Sequence, residues 1–467
     1  MIHDLKPYPA YKDSGVSLLG EIPAHWEVRR NGRLFAQRNE TGFPDLPILE
    51  VSLKTGVRVR SFDESARKQQ MSDRDKYKRA CRGDIAYNMM RMWQGAVGVA
   101  AVDGLVSPAY VVARALPGSE PRYFELLFRT DAYMGEVNNY SRGIVSDRNR
   151  LYWDDFKQIA SPFPPPAEQS AIVRFLGHLN RRIQRYIRAK KKLIALLNEQ
   201  KQAIIRRFVA RGLNPDVRFK SSGVEWLGDV PEHWEVLLNQ RIFKEVIRAH
   251  EGKPEVQLSL SQRDGLIATS SMQERSLQTS SYENWKVVFP GDLVLNRFKA
   301  HLGVFFASTL RGIVSFHYGV FTPRRVLSPK YFEFLYHTNV YKAIYAGRSN
   351  GMTVGLQNLS NQNFYNVHSI FPPAYEQEEI VSAIEKATER LSEATKAAQH
   401  EVALLSEFHA RLIADVVIGK LDVREAAARL PEEVEDLEPL DEGETLAEED
   451  EEGEGAEDED SSEEAVA

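Results

Sequence analysis

The feature that most constrains the fold of this chain is an internal repeat at a constant offset of 208 residues. The segment GVSLLGEIPAHWEV at 15–28 aligns with GVEWLGDVPEHWEV at 223–236, and 9 of the 14 positions are identical. The same offset, without a gap, pairs FPPPAEQ at 163–169 with FPPAYEQ at 371–377. A register kept over this length predicts a tandem duplication of one unit of about 200 residues.

Each copy begins with a mixed globular part. Short apolar runs bounded by Gly, Pro and Asp, such as DIAYN and YVVARAL, predict strands. The segments RYFELLFRTDAYMGEV and KYFEFLYHTNVYKAIY place apolar residues three and four positions apart, which predicts helices. The predicted fold class is therefore α+β, with two tandem mixed α/β domains joined and followed by long helices.

Those helices are predicted at 168–211 and 376–418, which contain no Pro and almost no Gly. Apolar positions there recur in steps of four and three with one extra four, a heptad seam with a stutter. Each helix would be about 65 Å long, and we expect the two to form an antiparallel coiled coil, the alternative being that each packs on its own globular part. The predicted seam comprises Ile172, Leu176, Leu179, Ile183, Tyr186, Ile194, Leu197, Ile204 and Phe208, and then Ile380, Ile384, Ala387, Leu391, Ala394, Ala398, Val402, Leu405, Leu412 and Val416.

The charge is divided unevenly along the chain. Residues 431–467 hold 20 Asp or Glu and no Lys or Arg, so the predicted tail is too polar to fold and is expected to be disordered. Removing these 20 from the 66 acidic residues leaves 46 against 60 basic ones, a net charge of +14 for the rest. A cationic body favours a polyanion as partner.

Composition also limits the class of protein. The single cysteine, Cys81, excludes a disulfide framework and a multi-cysteine metal site. The segment MIHDLKPYPAYK has no apolar signal region, and no apolar run approaches the 18 residues of a membrane span. We therefore expect a cytoplasmic protein without a membrane segment.

From Tyr11 to about Gly419 the chain resembles the specificity subunits of type I restriction–modification systems. The resemblance is carried by the duplicated G-V-x-x-L-G-x-[IV]-P-x-H-W-E-V and F-P-P…E-Q motifs. The stretch GDIAYNMMRMWQGAVGV at 83–99 is similar to a segment of target-recognition domains, whereas GDLVLNRFKAHLGVFF at 291–306 departs from it after the Asn.

The resemblance implies that two target-recognition domains each read one half of a split, asymmetric DNA site. It also implies that the helices set the spacing and dock two methyltransferase subunits, which nuclease–translocase subunits can join. The predicted division is 1–165 for the first recognition domain, 166–212 for the central helix, 213–373 for the second domain, 374–420 for the C-terminal helix and 421–467 for the acidic tail.

Signatures of catalysis were sought in the sequence and not found. It contains no G-x-x-x-x-G-K-[ST] phosphate loop, no strand followed by G-x-G-x-x-G, no H-E-x-x-H and no N-P-P-[YF]-like run. We therefore expect no active site, metal or cofactor in this chain, with methyl donor and nucleotide bound only by partner subunits. His25 and His233, beside Trp26 and Trp234, are predicted to fix the entry turn of each copy. Two alternatives stay open: a fused modification enzyme with an unrecognised site, and a pseudo-dimeric scaffold that does not bind DNA.

DNA contacts are predicted from residue type. Lys and Arg bind phosphates and guanine, while Asn and Gln bind adenine. Polar residues after Gly-rich turns at matched positions are favoured, although Asn88 and Asn296, being identical, are also explained by a structural turn. The candidates are Lys54, Arg58, Arg60, Gln69, Gln70, Arg91, Arg142 and Arg148 in the first copy, and Arg263, Gln278, Arg297, Lys299, Arg348 and Asn350 in the second.

Overall fold

The computed structural model describes residues 5–60, 74–143, 149–251, 255–261, 265–271, 284–350 and 358–431. It separates into two compact units. Unit 1 comprises residues 1–182 and 408–467, and unit 2 comprises residues 183–407. Each unit combines one globular domain, here domain 1 (5–163) and domain 2 (213–371), with parts of both long helices.

Domain 1 is built on an antiparallel four-stranded sheet of order β4-β11-β8-β9, in which Val112 lies opposite both Arg38 and Ala86. Helix α1 begins with a Pro at its first turn and buries Tyr123, Phe124 and Leu127. The elements that precede the second copy are β1 (Tyr11–Asp13), β2 (Glu21–Pro23), β3 (Glu27–Arg30), β4 (Phe35–Arg38), β5 (Leu49–Ser52), β6 (Gly56–Val59), β7 (Lys78–Ala80), β8 (Ile85–Asn88), β9 (Val97–Val99), β10 (Gly104–Val106), β11 (Tyr110–Ala115), α1 (Pro121–Phe128), α2 (Asp131–Tyr140), α3 (Trp153–Phe156), β12 (Ala160–Phe163) and α4 (Pro166–Arg211).

Domain 2 repeats this order. Its four-stranded sheet is β16-β23-β20-β21, again antiparallel, with Val320 opposite Val294. The elements of the second copy are β13 (Phe219–Ser221), β14 (Asp229–Pro231), β15 (Glu235–Leu238), α5 (Asn239–Ile242), β16 (Phe243–Glu245), β17 (Leu258–Ser261), β18 (Gly265–Ala268), β19 (Lys286–Val288), β20 (Leu293–Asn296), β21 (Phe305–Ala307), β22 (Gly312–Val314), β23 (Tyr318–Pro323), α6 (Pro329–Tyr336), α7 (Asn339–Arg348), α8 (Asn361–Tyr365), β24 (His368–Phe371) and α9 (Ala374–Val417).

Aromatic rings fill the space between each sheet and its helices. In domain 1, Phe35 meets Phe124 edge to face with ring centroids 5.1 Å apart. Phe243 meets Phe332 in the same way in domain 2, at 5.2 Å. The residues of the second pair lie 208 positions after those of the first, which is the offset of the repeat. The duplication therefore extends to the packing of the cores.

The long helices α4 and α9 pack against each other, as predicted. Within unit 2 they run antiparallel, because Lys190 Nζ lies 2.7 Å from Glu401 and Lys201 Nζ lies 3.0 Å from Ser392 Oγ. The predicted fold class of two mixed domains and an antiparallel helix pair is thereby confirmed. Neither of these helices, nor any other in the described ranges, is apolar enough to cross a membrane.

The predicted seam was wrong in phase over part of its length. Ile187, Ile205 and Val209 are buried, whereas Tyr186 is exposed, and Thr388 replaces Ala387 on the buried side of α9. In both helices two steps of four follow one another, as in Ile380, Ile384 and Thr388. An extra step of four moves the buried stripe on by one residue, and a search restricted to apolar residues passes over Thr388.

The predicted start of the tail at residue 421 was also wrong. Helix α10 (Arg424–Ala428) belongs to unit 1, and Val423, Ala427 and Leu430 are buried. These three residues are spaced four and three apart, which gives the segment one apolar face to pack. The acidic tail that was predicted to be disordered therefore begins later, and residues 432–467 lie outside the described residues.

Candidate nucleic-acid interface

Each domain is fixed to the first turn of the helix that comes after it by one glutamate. Glu376 accepts hydrogen bonds from His233 Nε2 at 2.8 Å and from Trp234 Nε1 at 2.9 Å. At the matched position in unit 1, Glu168 accepts from His25 and Trp26 at 2.9 and 3.1 Å. The two histidines of the repeated motif therefore fix the entry of each domain, as the sequence predicts.

Just after the end of a long helix, a glycine packs closely against each of these tryptophans. Gly212 comes directly after α4 with φ +72°, and a Cβ there would lie 3.1 Å from Trp234. Gly419 lies just beyond α9 with φ +90°, and a Cβ there would lie 2.8 Å from Trp26. The left-handed conformation and the close approach both require glycine, so each domain is seated on one helix end and one helix start.

A turn of the same structure follows β8 in domain 1 and β20 in domain 2, and these strands end at Asn88 and Asn296. Asn88 Oδ1 accepts from the backbone N–H of Met90 at 2.9 Å. Asn296 Oδ1 accepts from the N–H groups of Phe298 and Lys299 at 3.1 and 3.3 Å. Both asparagines therefore cap a turn. Their contacts in this structure are those of the structural turn given as the second explanation for these two identical residues.

A second segment lies beside this turn in each domain. Arg142 and Arg150 exchange backbone hydrogen bonds of 3.0 and 2.9 Å, and Asn350 and Asn358 exchange bonds of 3.0 and 2.8 Å. The residue after each bridge donates to the turn: Leu151 to Met89 O, and Leu359 to Arg297 O, at 2.9 and 3.0 Å. Two segments that are distant in sequence thus form one surface, which we call the turn surface.

Tyr110 connects that surface to the predicted cations of domain 1. It pairs with Asn88 across β8 and β11. Burial raises the pKa of Tyr110, Glu50 raises it further, and Arg60 and Arg91 act in the opposite direction. In domain 2, burial raises the pKa of Tyr318, and Lys299 lowers it. The structure therefore gathers Arg60 and Arg91 near Tyr110, and Lys299 near Tyr318.

Several candidates are already engaged with acidic groups. Arg58 pairs with Glu50 across a hairpin, and the largely exposed Arg142 pairs with Asp155. Arg297 lies 2.7 Å from Glu245 and is mostly buried, so its guanidinium forms an ion pair within domain 2. Because the pair is largely out of water, removing one partner would leave the other charge buried without compensation, unlike at a solvated surface pair.

The remaining candidates differ in their surroundings. Arg91 is exposed, and no acidic side chain in the described ranges forms an ion pair with it. Lys54 lies in the β5–β6 turn, where its carbonyl accepts from Arg129 at 3.0 Å. Arg348 is exposed at the end of α7 and donates to Asn366 O at 3.2 Å. The candidates Gln69, Gln70, Arg148, Arg263 and Gln278 lie outside the described residues.

Sequence reasoning missed three aromatic residues on the turn surface of domain 2. Phe298 and Phe316 are 38% and 52% exposed, and His317 lies between them. The matched residues of domain 1 are Met90, Pro108 and Ala109. A comparison of the two copies for differing apolar residues beside Asn296 would have found them, whereas the search considered cations and amides only.

No arrangement typical of catalysis was found in the described residues. No cluster of three or more His, Cys, Asp or Glu within them could hold a metal ion. A cavity of about 440 Å³ in unit 2 is lined mainly by apolar residues, together with Arg206, Arg207, Arg211, Thr338 and Tyr341. Thr338 donates its hydroxyl to Leu335 O at 2.7 Å and Tyr341 donates to His368 O at 3.2 Å, so both hydroxyls are bonded to the backbone of domain 2.

Comparison with known proteins bears on the fold. No protein-family model and no curated protein matches the sequence. One solved chain, from a study of complex assembly and conformational transition in a type I restriction–modification system, is 15% identical with a TM-score of 0.58, and the match covers 86% of this chain and 99% of that one.

Two further structures match more loosely. They are the HsdS subunit from Thermoanaerobacter tengcongensis (17% identity, TM-score 0.38, covering 86% of this chain and 98% of that one) and the type I S subunit from M. genitalium (10%, 0.35, 84% and 96%). On the first match, this chain shares the fold of a chain from a type I restriction–modification system, and the resemblance predicted from the repeated motifs is confirmed at the level of the fold.

Proposed function

We propose that this chain is the DNA-specificity subunit of a type I restriction–modification complex, with each domain reading one half of a bipartite, asymmetric site. The observation that carries the proposal is that the two domains share the backbone structure of the turn surface but differ in the side chains exposed there. The backbone bonds of the turn surface recur at the repeat offset, while Arg91 is matched by Lys299 and Arg142 by Asn350. Retained frames with different exposed side chains are expected of two modules that read different bases.

Docking of methyltransferase subunits on the helices is supported by an apolar face outside the seam. Tyr186, Leu193 and Leu196 are exposed on α4. Their spacings of seven and three place them on one side of the helix. Exposed apolar side chains grouped in this way are typical of protein contacts. In this proposal the helices also set the distance between the half-sites.

The chemistry of the complex is assigned to the partners. This chain would supply no catalytic group, and methyl donor and nucleotide would bind only to the methyltransferase and nuclease–translocase subunits. A cytoplasmic location is part of the same proposal.

The proposal is tested by mapping methylated adenines in the host genome with and without the gene. We expect one asymmetric motif with an unread gap to lose methylation when the gene is removed. Arg91→Ala should relax reading of one half-site only, and Lys299→Ala should relax reading of the other. A continuous or perfectly palindromic motif, or no lost motif, would contradict the proposal.

Two further measurements address the alternatives. Methyl transfer by the purified chain alone, given a methyl donor and DNA, would favour a fused modification enzyme. A complex that assembles with its partners but does not bind DNA at about 50 mM salt, where phosphate contacts are strongest, would favour a scaffold.

A further inference from the structure

Domain 2 presents three neighbouring aromatic rings to solvent, with planes tilted by 38° between Phe316 and His317 and by 61° between Phe298 and His317, and we call this cluster the stack. The rings of Phe316 and His317 are 3.8 Å apart between centroids, and the Phe298 ring lies 5.4 Å from that of His317. Phe298 and Phe316 are 38% and 52% exposed, so the stack is not part of the core of the domain. Grouped apolar rings on a surface indicate a contact with another molecule.

The stack belongs to the turn surface. Asn296 pairs with Tyr318 across β20 and β23. Phe298 comes two residues after Asn296, and Phe316 and His317 lie in the turn closed by the bond from Tyr318 N to Ser315 O at 3.0 Å. Lys299 is capped by the same Asn296 side chain. The rings therefore lie next to the cation assigned to DNA.

Domain 1 has no aromatic residue at the three matched positions. Met90 is 42% exposed there, and Pro108 and Ala109 are exposed as well. Because the capping bond of Asn88 to Met90 N–H matches that of Asn296, the backbone frame is alike and only the side chains differ. This surface therefore distinguishes what the two domains can recognise.

The chemistry of the stack selects one feature of a base pair. In the major groove most base-edge groups are donors or acceptors that need a polar partner, and the apolar group is the C5 methyl of thymine. We propose that Phe298, Phe316 and His317 read thymine methyl groups in the half-site of domain 2. The inference rests on the proposed function and adds a base and a chemical group to it.

The experiment uses the complete complex with its methyltransferase subunits and a DNA duplex that carries the mapped target. Thymines of each half-site are replaced one at a time by uracil, which lacks only the methyl. Losing the burial of one methyl, about 0.8 kcal/mol, lowers affinity about fourfold. We expect this loss at one or more positions of the domain 2 half-site.

Variants assign the loss to the stack. In Phe298→Ala and Phe316→Ala, thymine and uracil duplexes should bind equally, with the sensitivity to thymines of the other half-site unchanged. Phe289→Ala is the matched control, because Phe289 is exposed in the same domain but precedes the opposite end of β20. It should keep the fourfold difference.

Other results would overturn the inference. These are a domain 2 half-site without a specified A·T pair, equal binding of uracil and thymine duplexes by the unchanged complex, or variants that keep the difference. Loss of a methyltransferase subunit from the Phe298→Ala complex would assign the stack to a protein contact. A complex that binds neither duplex would instead contradict the proposed function.

Discussion

The repeated glutamate contact allows the energetics of the two units to be compared within one chain. Glu376 accepts from Trp234 Nε1 and His233 Nε2, and Glu168 accepts from the matched pair and also from the hydroxyl of Tyr8. In the second copy the position that matches Tyr8 is Asp216. Among the described residues of unit 2, no hydroxyl donates to Glu376 in the way that Tyr8 donates to Glu168. We predict that Glu168→Ala destabilises unit 1 more than Glu376→Ala destabilises unit 2.

The magnitude depends on the number of buried donors left without a partner. Each costs about 1–3 kcal/mol, and loss of an acidic side chain from the first turn of a helix adds about 0.3–1 kcal/mol. Glu376→Ala leaves the Trp234 indole N–H without a partner and should cost about 1.3–4 kcal/mol. Glu168→Ala strands the buried Tyr8 hydroxyl as well, so its cost should be greater by about 1–3 kcal/mol. The histidines are partly exposed and should contribute little.

Hydrogen–deuterium exchange of the complete chain is the suitable assay, because two units need not unfold in one transition. Glu168→Ala should speed exchange in unit 1 only, and Glu376→Ala in unit 2 only. Tyr8→Phe provides the control in a double-mutant cycle. It should weaken unit 1 in the unchanged chain but stabilise it in the Glu168→Ala background, because there it removes the hydroxyl that has lost its partner.

Equal losses of protection in the two units would refute this reasoning. So would a Tyr8→Phe effect of the same size in both backgrounds, since the hydroxyl would then not depend on Glu168. Losses well below 1 kcal/mol for both alanine variants would show that water replaces the carboxylate at both tryptophans.

Three further predictions concern pH, spacing and the tail. Burial, with Lys342 and Lys330 nearby, lowers the pKa of His337 to about 4. Protonation therefore favours the unfolded state, and domain 2 should lose up to about 3 kcal/mol as pH falls from about 6.5 to 4. His337→Gln should flatten that slope in exchange measurements, while domain 1, with Arg129 at the matched position, supplies no such slope. Deleting four residues within 187–194 shortens α4 by about 6 Å and rotates the part of the helix beyond the deletion by about 40°, so methylation mapping should show a changed gap with unchanged half-sites. If the acidic tail competes for the DNA surface, truncation after Leu430 should tighten non-specific binding severalfold at about 50 mM salt and much less at about 200 mM, whereas equal affinities would make the tail passive.

The duplication and the long helices could be predicted from the sequence because both depend on local or repeated patterns. The phase of the seam could not, since whether Tyr186 or Ile187 is buried depends on where the extra step of four occurs. The fold of residues 421–430 was missed because composition was averaged over a segment dominated by acids, although Val423, Ala427 and Leu430 carry a helical spacing.

The candidate site shows a similar division. A selection by residue type and matched position gave Arg91 and Lys299 as candidates, and the structure places them on matched turns. That selection could not distinguish them from Arg297, because the ion pair of Arg297 with Glu245 joins residues 52 positions apart. Pairing of that range depends on sheet register, which a single sequence does not specify in advance.

The repeat extends to the bonds that hold each domain to the long helices. In unit 1 the Tyr123 hydroxyl donates to Val417 O at the end of α9, and in unit 2 the Tyr331 hydroxyl donates to Val209 O near the end of α4, at 3.1 and 2.9 Å. Both partners of this bond are related by the repeat offset, as are Glu168 and Glu376 at the helix starts. Each domain is thus held to its helices by these shared bonds, so under the proposed function they would not make one domain read a different sequence from the other. The proposed function assigns that difference to the side chains beside Asn88 and Asn296, where a cation with a thioether in one domain is matched by a cation with aromatic rings in the other.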